Sequence, residues 1–200
     1  TIFHLMGQHV NYKLRYRKEQ AKFWASSYEE KRPELTTAQR KMLSHYDNAT
    51  LYNDSIVAQI VKRFQKEDAV VIYVPDHGEE CYEENRGFIC RNHSANIDWP
   101  LAHYEFEIPF WIYCSPKYIK NHRDIYRQIR KAKDKRFMTD ALPHLLLYLA
   151  GIETPTYKEE YNILSPKYNE MRPRILKNSV DYDKLRDEYY KKQEKKGAKK

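Results

Sequence analysis

Cysteine is scarce in this 200-residue chain, and its spacing excludes two common kinds of site. The three cysteines, Cys81, Cys90 and Cys114, include no Cys-x-x-Cys pair, so neither a zinc finger nor a thioredoxin-like redox centre is indicated. Cys81 and Cys90 flank a short loop and could close a disulfide in an oxidising compartment. They could equally remain two separate thiols, and the sequence leaves both states open.

Long apolar runs are also missing. No stretch reaches the roughly 20 apolar residues that a transmembrane helix needs, and no signal peptide is recognisable. The chain begins with Thr1 rather than methionine, and residues 2–6 already have the composition of a strand. We therefore expect a fragment of a longer protein, whose compartment cannot be deduced from its own first residues.

Acidic residues are outnumbered in this chain. There are 36 lysines and arginines against 28 aspartates and glutamates, which gives a net charge of +8 and favours anionic partners. Part of the excess lies in residues 181–200, which we predict to be a basic, frayed tail. A basic nucleic-acid-binding module would account for the charge and for the 18 tyrosines, but no RNP, KH or helix-turn-helix pattern is present. That function therefore ranks low.

Strand-like and helix-like segments alternate along the chain. The predicted strands are residues 2–6, residues 69–74 and the segment "EIPFWIYCSP"; the predicted helices are residues 44–64, residues 117–135 and the segment "MTDALPHLLLYLAGIETP". Alternation of this kind predicts an α/β fold with a largely parallel sheet.

The remaining segments and the ends of the last helix can also be assigned. Residues 17–41 are predicted to be a polar surface excursion, and residues 78–107 a loop rich in charge and asparagine. In the last helix Thr139 is the expected N-cap, Pro143 is tolerated in the first turn, and Gly151 ends the helix.

The stretch "VVIYVPDHGEECYE", residues 70–83, holds the main functional signal. An apolar, β-branched run typical of a strand buried on both faces stops at Pro75 and is followed by Asp76, His77 and Gly78. One interpretation of residues 75–78 is an ordinary surface turn. The other is a metal site at the end of a strand, because a carboxylate and an imidazole together suit Zn²⁺ or Mn²⁺. In that reading Gly78 lets the backbone turn without crowding the ion.

Five blocks resemble, in order, the C-terminal part of a known family. The blocks "FHLMGQHVNYKLRY", "YDNATLYNDSIV", "VIYVPDHGEE", "EIPFWIYCSP" and "TDALPHLLLYLAGI" are similar to those of the phosphoethanolamine transferases that modify lipopolysaccharide, members of the sulfatase and alkaline phosphatase superfamily. The resemblance implies an alkaline-phosphatase-like three-layer sandwich with a largely parallel sheet, present here as its C-terminal portion. It implies that residues 1–180 belong to the sulfatase-like catalytic domain.

The resemblance also assigns roles to individual residues. Asp76 and His77 match zinc ligands, and His9 matches a histidine that faces the phosphoryl group or a second zinc. A later family histidine corresponds either to His93 or to His103; we prefer His93 because it follows the pair Phe88–Ile89. His4 matches a strand histidine that either contacts the site or packs beneath the sheet edge.

Two departures from the family pattern concern neighbours of these residues. "GQHVNY" lacks the glycine after the histidine, and Pro75 replaces the usual serine or threonine before Asp76. Neither departure removes a ligand.

The function implied is transfer of phosphoethanolamine from phosphatidylethanolamine to lipid A or to the lipopolysaccharide core, with Zn²⁺ as the metal. The family's nucleophilic threonine and an acidic ligand lie upstream of the region matched here, so the isolated chain is expected to be inactive. The parent enzyme is expected in the bacterial inner membrane with this domain in the periplasm. A sulfatase or phosphodiesterase-type hydrolase of the same superfamily is the alternative.

Overall fold

The computed structural model describes residues 1–92 and 96–197, which form two units. Unit 1 comprises Thr1–Gln65, Val71–Asn96 and Pro100–Trp111, and unit 2 comprises Lys66–Val70, Ile97–Trp99 and Ile112–Lys200. The helices are α1 (Thr37–Phe64), α2 (Trp99–Phe106), α3 (Pro116–Asn121), α4 (Arg123–Ala132), α5 (Leu142–Leu149) and α6 (Tyr182–Gly197). None of the described helices combines the length and the apolar character needed to cross a membrane.

The long helix α1 confirms the prediction for residues 44–64 and begins earlier than predicted. Thr36 caps it: the Thr36 hydroxyl accepts a hydrogen bond from the Gln39 amide, and the Gln39 side chain accepts one from the Thr36 amide at 2.8 Å. This reciprocal capping box satisfies two backbone donors, so the helix starts at Thr37. The sequence does not predict this start because residues 37–41 are mostly polar and the apolar residues Met42 and Leu43 follow only then.

The core of unit 1 lies between α1 and segments predicted to be surface loops. Its buried side chains are Tyr28, Leu35, Leu43, Cys81 and Tyr82. The prediction that residues 17–41 form a surface excursion was therefore wrong, because this segment contributes Tyr28 and Leu35 to the core. The three cysteines are free thiols in this structure, so the Cys81–Cys90 disulfide is not formed.

The described strands are short. They are β1 (Val70–Tyr73), β2 (Glu80–Cys81), β3 (Ile89–Cys90), β4 (Trp111–Cys114), β5 (Ile175–Leu176) and β6 (Val180–Asp181). They form three two-stranded sheets, β1 with β4, β2 with β3, and β5 with β6, and the last two pairs are antiparallel. The described residues thus hold small pieces of sheet, whereas the alternation of elements predicts one large, largely parallel sheet.

Two strand predictions need correction. Residues 2–6 form no strand, and Ile2 is 93% exposed, because no neighbouring strand in the described residues supplies hydrogen-bond partners for this segment. The strand at residues 69–74 is present as β1, but its four residues are only partly buried rather than buried on both faces.

Helix α2 lies where a charged loop was predicted. Leu101, Ala102 and Glu105 are buried, at spacings that place them on one face of the helix. The charged and asparagine-rich flanks conceal this face in the sequence.

In unit 2, Ser115 begins the predicted basic helical stretch, which the structure divides into α3 and α4. Ser115 is fully buried, and its hydroxyl accepts a hydrogen bond from the Tyr118 amide and donates one to the Glu67 carbonyl at 2.5 Å. The Ser115 amide also donates to the Ala69 carbonyl. The serine of the "CSP" segment thus caps α3 and fixes the residues that lead into β1.

The ends of the last predicted helix are partly as expected. Helix α5 starts at Leu142 with Pro143 in its first turn, and Gly151 follows its end with φ of +65°, a conformation that favours glycine. Thr139 is not the N-cap, because it lies inside a 3-10 turn that precedes α5.

Residues 181–200 were predicted to be a frayed tail, but α6 covers most of them. Asp183 in the first turn of α6 accepts hydrogen bonds from Arg174 and Arg136. The ring of Trp99 packs against Tyr182, Tyr189 and Tyr190. These contacts involve the first nine residues of α6, whereas Lys191, Lys192, Lys195 and Lys196 in its second half are exposed.

Candidate metal centre

Asp76 and His77 lie just beyond the end of β1 in unit 1. Nε2 of His77 lies 3.6 Å from Oδ2 of Asp76, whose side chain is 87% exposed, whereas the His77 side chain is mostly buried. Nδ1 of His77 lies 2.7 Å from the carbonyl oxygen of Gly78. Because a carbonyl only accepts, the Nδ1 proton is donated to it, and the lone pair of the neutral ring is on Nε2.

This pair fits a zinc ion as two of its ligands. Two atoms each 2.0–2.1 Å from a tetrahedral zinc lie about 3.3 Å apart, close to the Asp76–His77 separation. Carboxylate oxygen and imidazole nitrogen are both common zinc donors. No group of three or more histidine, cysteine, aspartate or glutamate side chains that could hold a metal occurs within residues 1–92 and 96–197. The described residues therefore offer a pair of ligands rather than a complete four-ligand site.

Gly78 also has a packing constraint that the sequence does not reveal. Its amide donates to the carbonyl of Glu105 at 2.8 Å, and a Cβ at position 78 would lie 2.3 Å from the carbonyl oxygen of Tyr104. The strand end is therefore pressed against the last turn of α2. The glycine permits this close backbone approach.

Glu79 has a defined environment that the sequence analysis did not assign. Tyr12, which is 3% exposed, donates its hydroxyl proton to Oε2 of Glu79 at 2.7 Å. Burial raises the pKa of Glu79, whereas the hydrogen bond from Tyr12 and the charges of His77, Arg91 and His9 lower it. Four polar or cationic groups thus act on this one carboxylate, which follows Asp76 and His77 in the sequence.

His9 lies on an exposed turn that is fixed by backbone contacts. The His9 amide donates to the Met6 carbonyl at 3.1 Å, and Gly7 between them has φ of +47°. Arg15 donates to the carbonyls of His9 and Val10. His9 is exposed, and its charge is one of the causes that lower the pKa of Glu79.

The other predicted histidines fall in different settings. His4 is exposed, and no hydrogen bond or ion pair joins it to Asp76 or His77 in the described part of the chain. His103 lies on α2, where Nδ1 is 2.9 Å from Oε1 of Glu107. His93 lies outside the described residues, so its predicted role stays a prediction.

Glu105 is a second residue that sequence reasoning missed. It is 4% exposed, and its Oε1 accepts the amide of Asn92 at 2.7 Å, while its own carbonyl accepts the Gly78 amide. Glu105 therefore connects the metal pair's strand end to the backbone that immediately precedes His93. In the sequence it appears as one acid among many, and only burial distinguishes it.

The "YDN" block is structural in unit 1. Asp47 accepts a hydrogen bond from the Tyr28 hydroxyl. Asn48 accepts the amides of Lys22 and Phe23 through Oδ1 and donates to the Phe23 carbonyl through Nδ2 at 2.8 Å. These bonds hold the segment before α1 against the helix.

The described residues combine helices and short strands with an aspartate and a histidine side by side at the end of a strand. The sulfatase family model matches residues 1–152, and the chain belongs to the sulfatase family.

Among curated relatives, the chain is 33% identical over 192 residues to phosphoethanolamine transferase EptC of Escherichia coli O18:K1:H7, covering 92% of this chain and 32% of the relative. It is 30% identical over 138 residues to Kdo(2)-lipid A phosphoethanolamine 7''-transferase of E. coli K12, covering 68% of this chain and 23% of the relative. The chain thus spans about a third or less of the curated relatives it matches.

A solved structure supports the fold. The chain is similar to the C-terminal periplasmic domain of EptC from E. coli in complex with zinc, with a TM-score of 0.71, 29% identity, and coverage of 90% of this chain and 50% of that one. The resemblance to phosphoethanolamine transferases and the alkaline-phosphatase-like α/β fold are therefore confirmed.

Proposed function

We propose that this chain is the C-terminal part of the catalytic domain of a metal-dependent phosphoethanolamine transferase. The observation that carries the proposal is the Asp76–His77 pair: Nδ1 of His77 donates to the Gly78 carbonyl, so the lone pair of the ring is on Nε2, which lies 3.6 Å from Oδ2 of Asp76. Membership of the sulfatase family and similarity to phosphoethanolamine transferases support the assignment. Similarity to a zinc-bound periplasmic domain supports zinc as the metal, with manganese as the alternative.

Oδ2 of Asp76 and Nε2 of His77 would hold the metal, and further ligands and the nucleophilic hydroxyl would come from outside these 200 residues. When bound, zinc lowers the pKa of a coordinated hydroxyl and offsets charge on phosphoryl oxygens. The hydrogen bond at Nδ1 keeps the His77 ring in the ligating tautomer and orientation. With only these two ligands, the isolated chain should bind Zn²⁺ weakly and show no turnover.

His9 and His93 are proposed to act on the phosphoryl group. An exposed imidazole such as that of His9 can donate a proton to a phosphate oxygen or to the leaving alkoxide. The buried Glu105 side chain accepts a hydrogen bond from the amide of Asn92, which precedes His93 in the sequence. His103 is occupied by Glu107 and is assigned no catalytic role, and His4 stays a peripheral candidate.

The proposed donor is phosphatidylethanolamine, and the proposed acceptor is lipid A or the lipopolysaccharide core. The relative named for Kdo(2)-lipid A motivates the acceptor. The parent protein is proposed to be anchored in the bacterial inner membrane, with this domain in the periplasm.

The test is an assay of the full-length parent enzyme with labelled phosphatidylethanolamine and purified lipid A. We expect labelled lipid A from the wild type and none above background from Asp76→Ala. Asp134→Ala is the matched control, because Asp134 is 85% exposed and lies far along the sequence from the pair. Release of free phosphoethanolamine with no labelled acceptor would instead identify a hydrolase.

A further inference from the structure

The largest local excess of positive charge in the chain lies in one short segment of unit 2. Residues 116–136 contain nine lysines and arginines and two aspartates, an excess of seven in a chain whose net charge is +8. The basic residues are Lys117, Lys120, Arg123, Arg127, Arg130, Lys131, Lys133, Lys135 and Arg136. About one tenth of the chain therefore holds a dense local excess of positive charge, which favours anionic partners.

Helix α4 carries four of these basic residues on its exposed surface. Its inward side chains include Ile125, Ile129 and the buried Ala132, and Gln128 accepts a hydrogen bond from Tyr148 of α5 at 2.8 Å. The exposed side chains on the helix include Arg123, Arg127, Arg130 and Lys131. Positions 123, 127 and 130 are one and two turns apart, so they form a continuous basic stripe.

A surface cavity lies beside the stripe, where α3 meets α4. Its volume is about 530 Å³, and it is lined by Pro116, Ile119, Lys120, Arg123, Tyr126 and Arg127. Three of these residues offer apolar or aromatic surface and three offer cations. We call this cavity and the adjoining Arg130 and Lys131 the basic surface.

Most of the charge on the basic surface is not neutralised within the protein. Arg127 pairs with Asp124, and both side chains are more than 70% exposed, so this pair is weak. Lys120, Arg123, Arg130 and Lys131 have no ion-pair partner among residues 1–92 and 96–197. These cations are therefore available to an external anion.

We propose that the basic surface docks on a membrane that contains anionic phospholipid. Basic side chains around an apolar patch match the phosphate layer and the underlying acyl boundary of a bilayer, respectively. Duplex nucleic acid would use the cations but would leave Pro116 and Ile119 unmatched, so a membrane is the better fit. This surface does not depend on the metal pair or on the proposed reaction.

Co-sedimentation with vesicles tests the surface directly. The purified chain is mixed with vesicles of phosphatidylcholine alone or with 30% phosphatidylglycerol, at about 0.05 and 0.5 M salt. We compare the wild type with the triple variant Lys120→Gln, Arg123→Gln, Arg127→Gln. The matched control is Lys191→Gln, Lys192→Gln, Lys195→Gln, which removes three equally exposed charges from α6. Circular dichroism and thermal unfolding check that each variant is folded.

We expect binding to the anionic vesicles that is lost at high salt and is absent with phosphatidylcholine alone. The triple variant should bind on the order of a hundredfold more weakly, and the α6 control should change by less than about threefold. Failure of the folded wild type to bind anionic vesicles would overturn the proposal. So would an equal loss in the α6 control, or tighter binding to a duplex DNA probe than to the vesicles at the same salt. If the triple variant does not fold, Arg123→Gln alone should still weaken binding severalfold, and an unchanged affinity would count against the surface.

Discussion

Tyr12 and Glu79 are joined by a hydrogen bond of 2.7 Å between the phenolic hydroxyl and Oε2. This contact connects the segment of His9 to the segment of His77 across 67 positions of sequence. Burial and the bond to Glu79 together raise the pKa of Tyr12, so the phenol stays protonated and remains a donor. The two halves of the candidate site in unit 1 are held together by a polar contact that neither segment reveals in isolation.

Replacing Tyr12 by phenylalanine should therefore destabilise the protein. The variant leaves a partly buried carboxylate without its donor, which costs about 1–3 kcal/mol in free energy of unfolding. Urea unfolding measures the change. Tyr190→Phe, at a ring that is 52% exposed, should be neutral. Equal midpoints for Tyr12→Phe and the wild type would show that the bond contributes nothing.

Gly78→Ala should lower the free energy of unfolding more than Gly87→Ala does. The new methyl group would meet the Tyr104 carbonyl at 2.3 Å, so the backbone of the strand end or of α2 must move, at a cost of about 3 kcal/mol. Gly87→Ala is the comparison, because Gly87 has no neighbouring atom within 4 Å and only its φ of +68° opposes a side chain. Thermal unfolding of both variants separates steric clash from backbone strain; a smaller loss at Gly78 than at Gly87 would contradict the contact.

The contribution of Asp183, in the first turn of α6, to the stability of the protein should depend on pH. Arg174, which donates hydrogen bonds to Asp183, holds the pKa of that carboxyl below its ordinary value, and the charges of Arg136 and Arg186 add to the effect. Because the folded pKa is depressed, the stabilisation is present above the unfolded pKa of about 4 and is lost as the pH falls through the folded value.

Asp183→Asn should therefore lower the melting temperature by a few degrees at pH 7, and the difference from the wild type should shrink towards pH 3. The exposed Asp187→Asn serves as the control. A difference that is constant from pH 7 to pH 3 would rule out the titration.

Alanine variants of the three candidate histidines should differ from one another in catalytic rate rather than in zinc content. In the full-length parent, His9→Ala and His93→Ala should lose about a hundredfold to ten-thousandfold in rate and retain zinc, as expected for a group that transfers a proton. His103→Ala should be close to neutral, because its imidazole is paired with Glu107. A large loss at His103 with a mild one at His93 would exchange their roles and leave the family assignment intact.

Sequence reasoning located the elements with strong local signals. The apolar run of β1, the helical spacing in α1 and the glycine after α5 each carry their signal within a few residues, and all three are present. Sequence reasoning failed where contacts between distant segments determine the secondary structure. Residues 2–6 look like a strand but have no pairing partner, and α2 and α6 look like polar loop or tail but are ordered by packing on one face.

The same distinction holds for the candidate site. Asp76 and His77 were predicted as metal ligands because two ligand types stand side by side after a strand, and that role stays a prediction. Tyr12 and Glu105 were missed because a tyrosine and a glutamate become informative only when buried against Glu79 and the Asn92 amide, respectively. The reason for Gly78 could not be deduced either, since its neighbour Tyr104 is 26 positions away in a helix that was not predicted.

The zinc content of the full-length parent tests the central claim most directly. Metal per chain would be measured by plasma mass spectrometry for the wild type, Asp76→Ala and His77→Ala, with His122→Ala as the control because His122 pairs with Asp68 in unit 2. We predict that the wild type and His122→Ala retain zinc, and that both ligand variants lose most of it while unfolding at nearly the same temperature, since the pair lies beyond the strand end. Full zinc content in folded Asp76→Ala and His77→Ala would contradict the assignment of this pair as metal ligands.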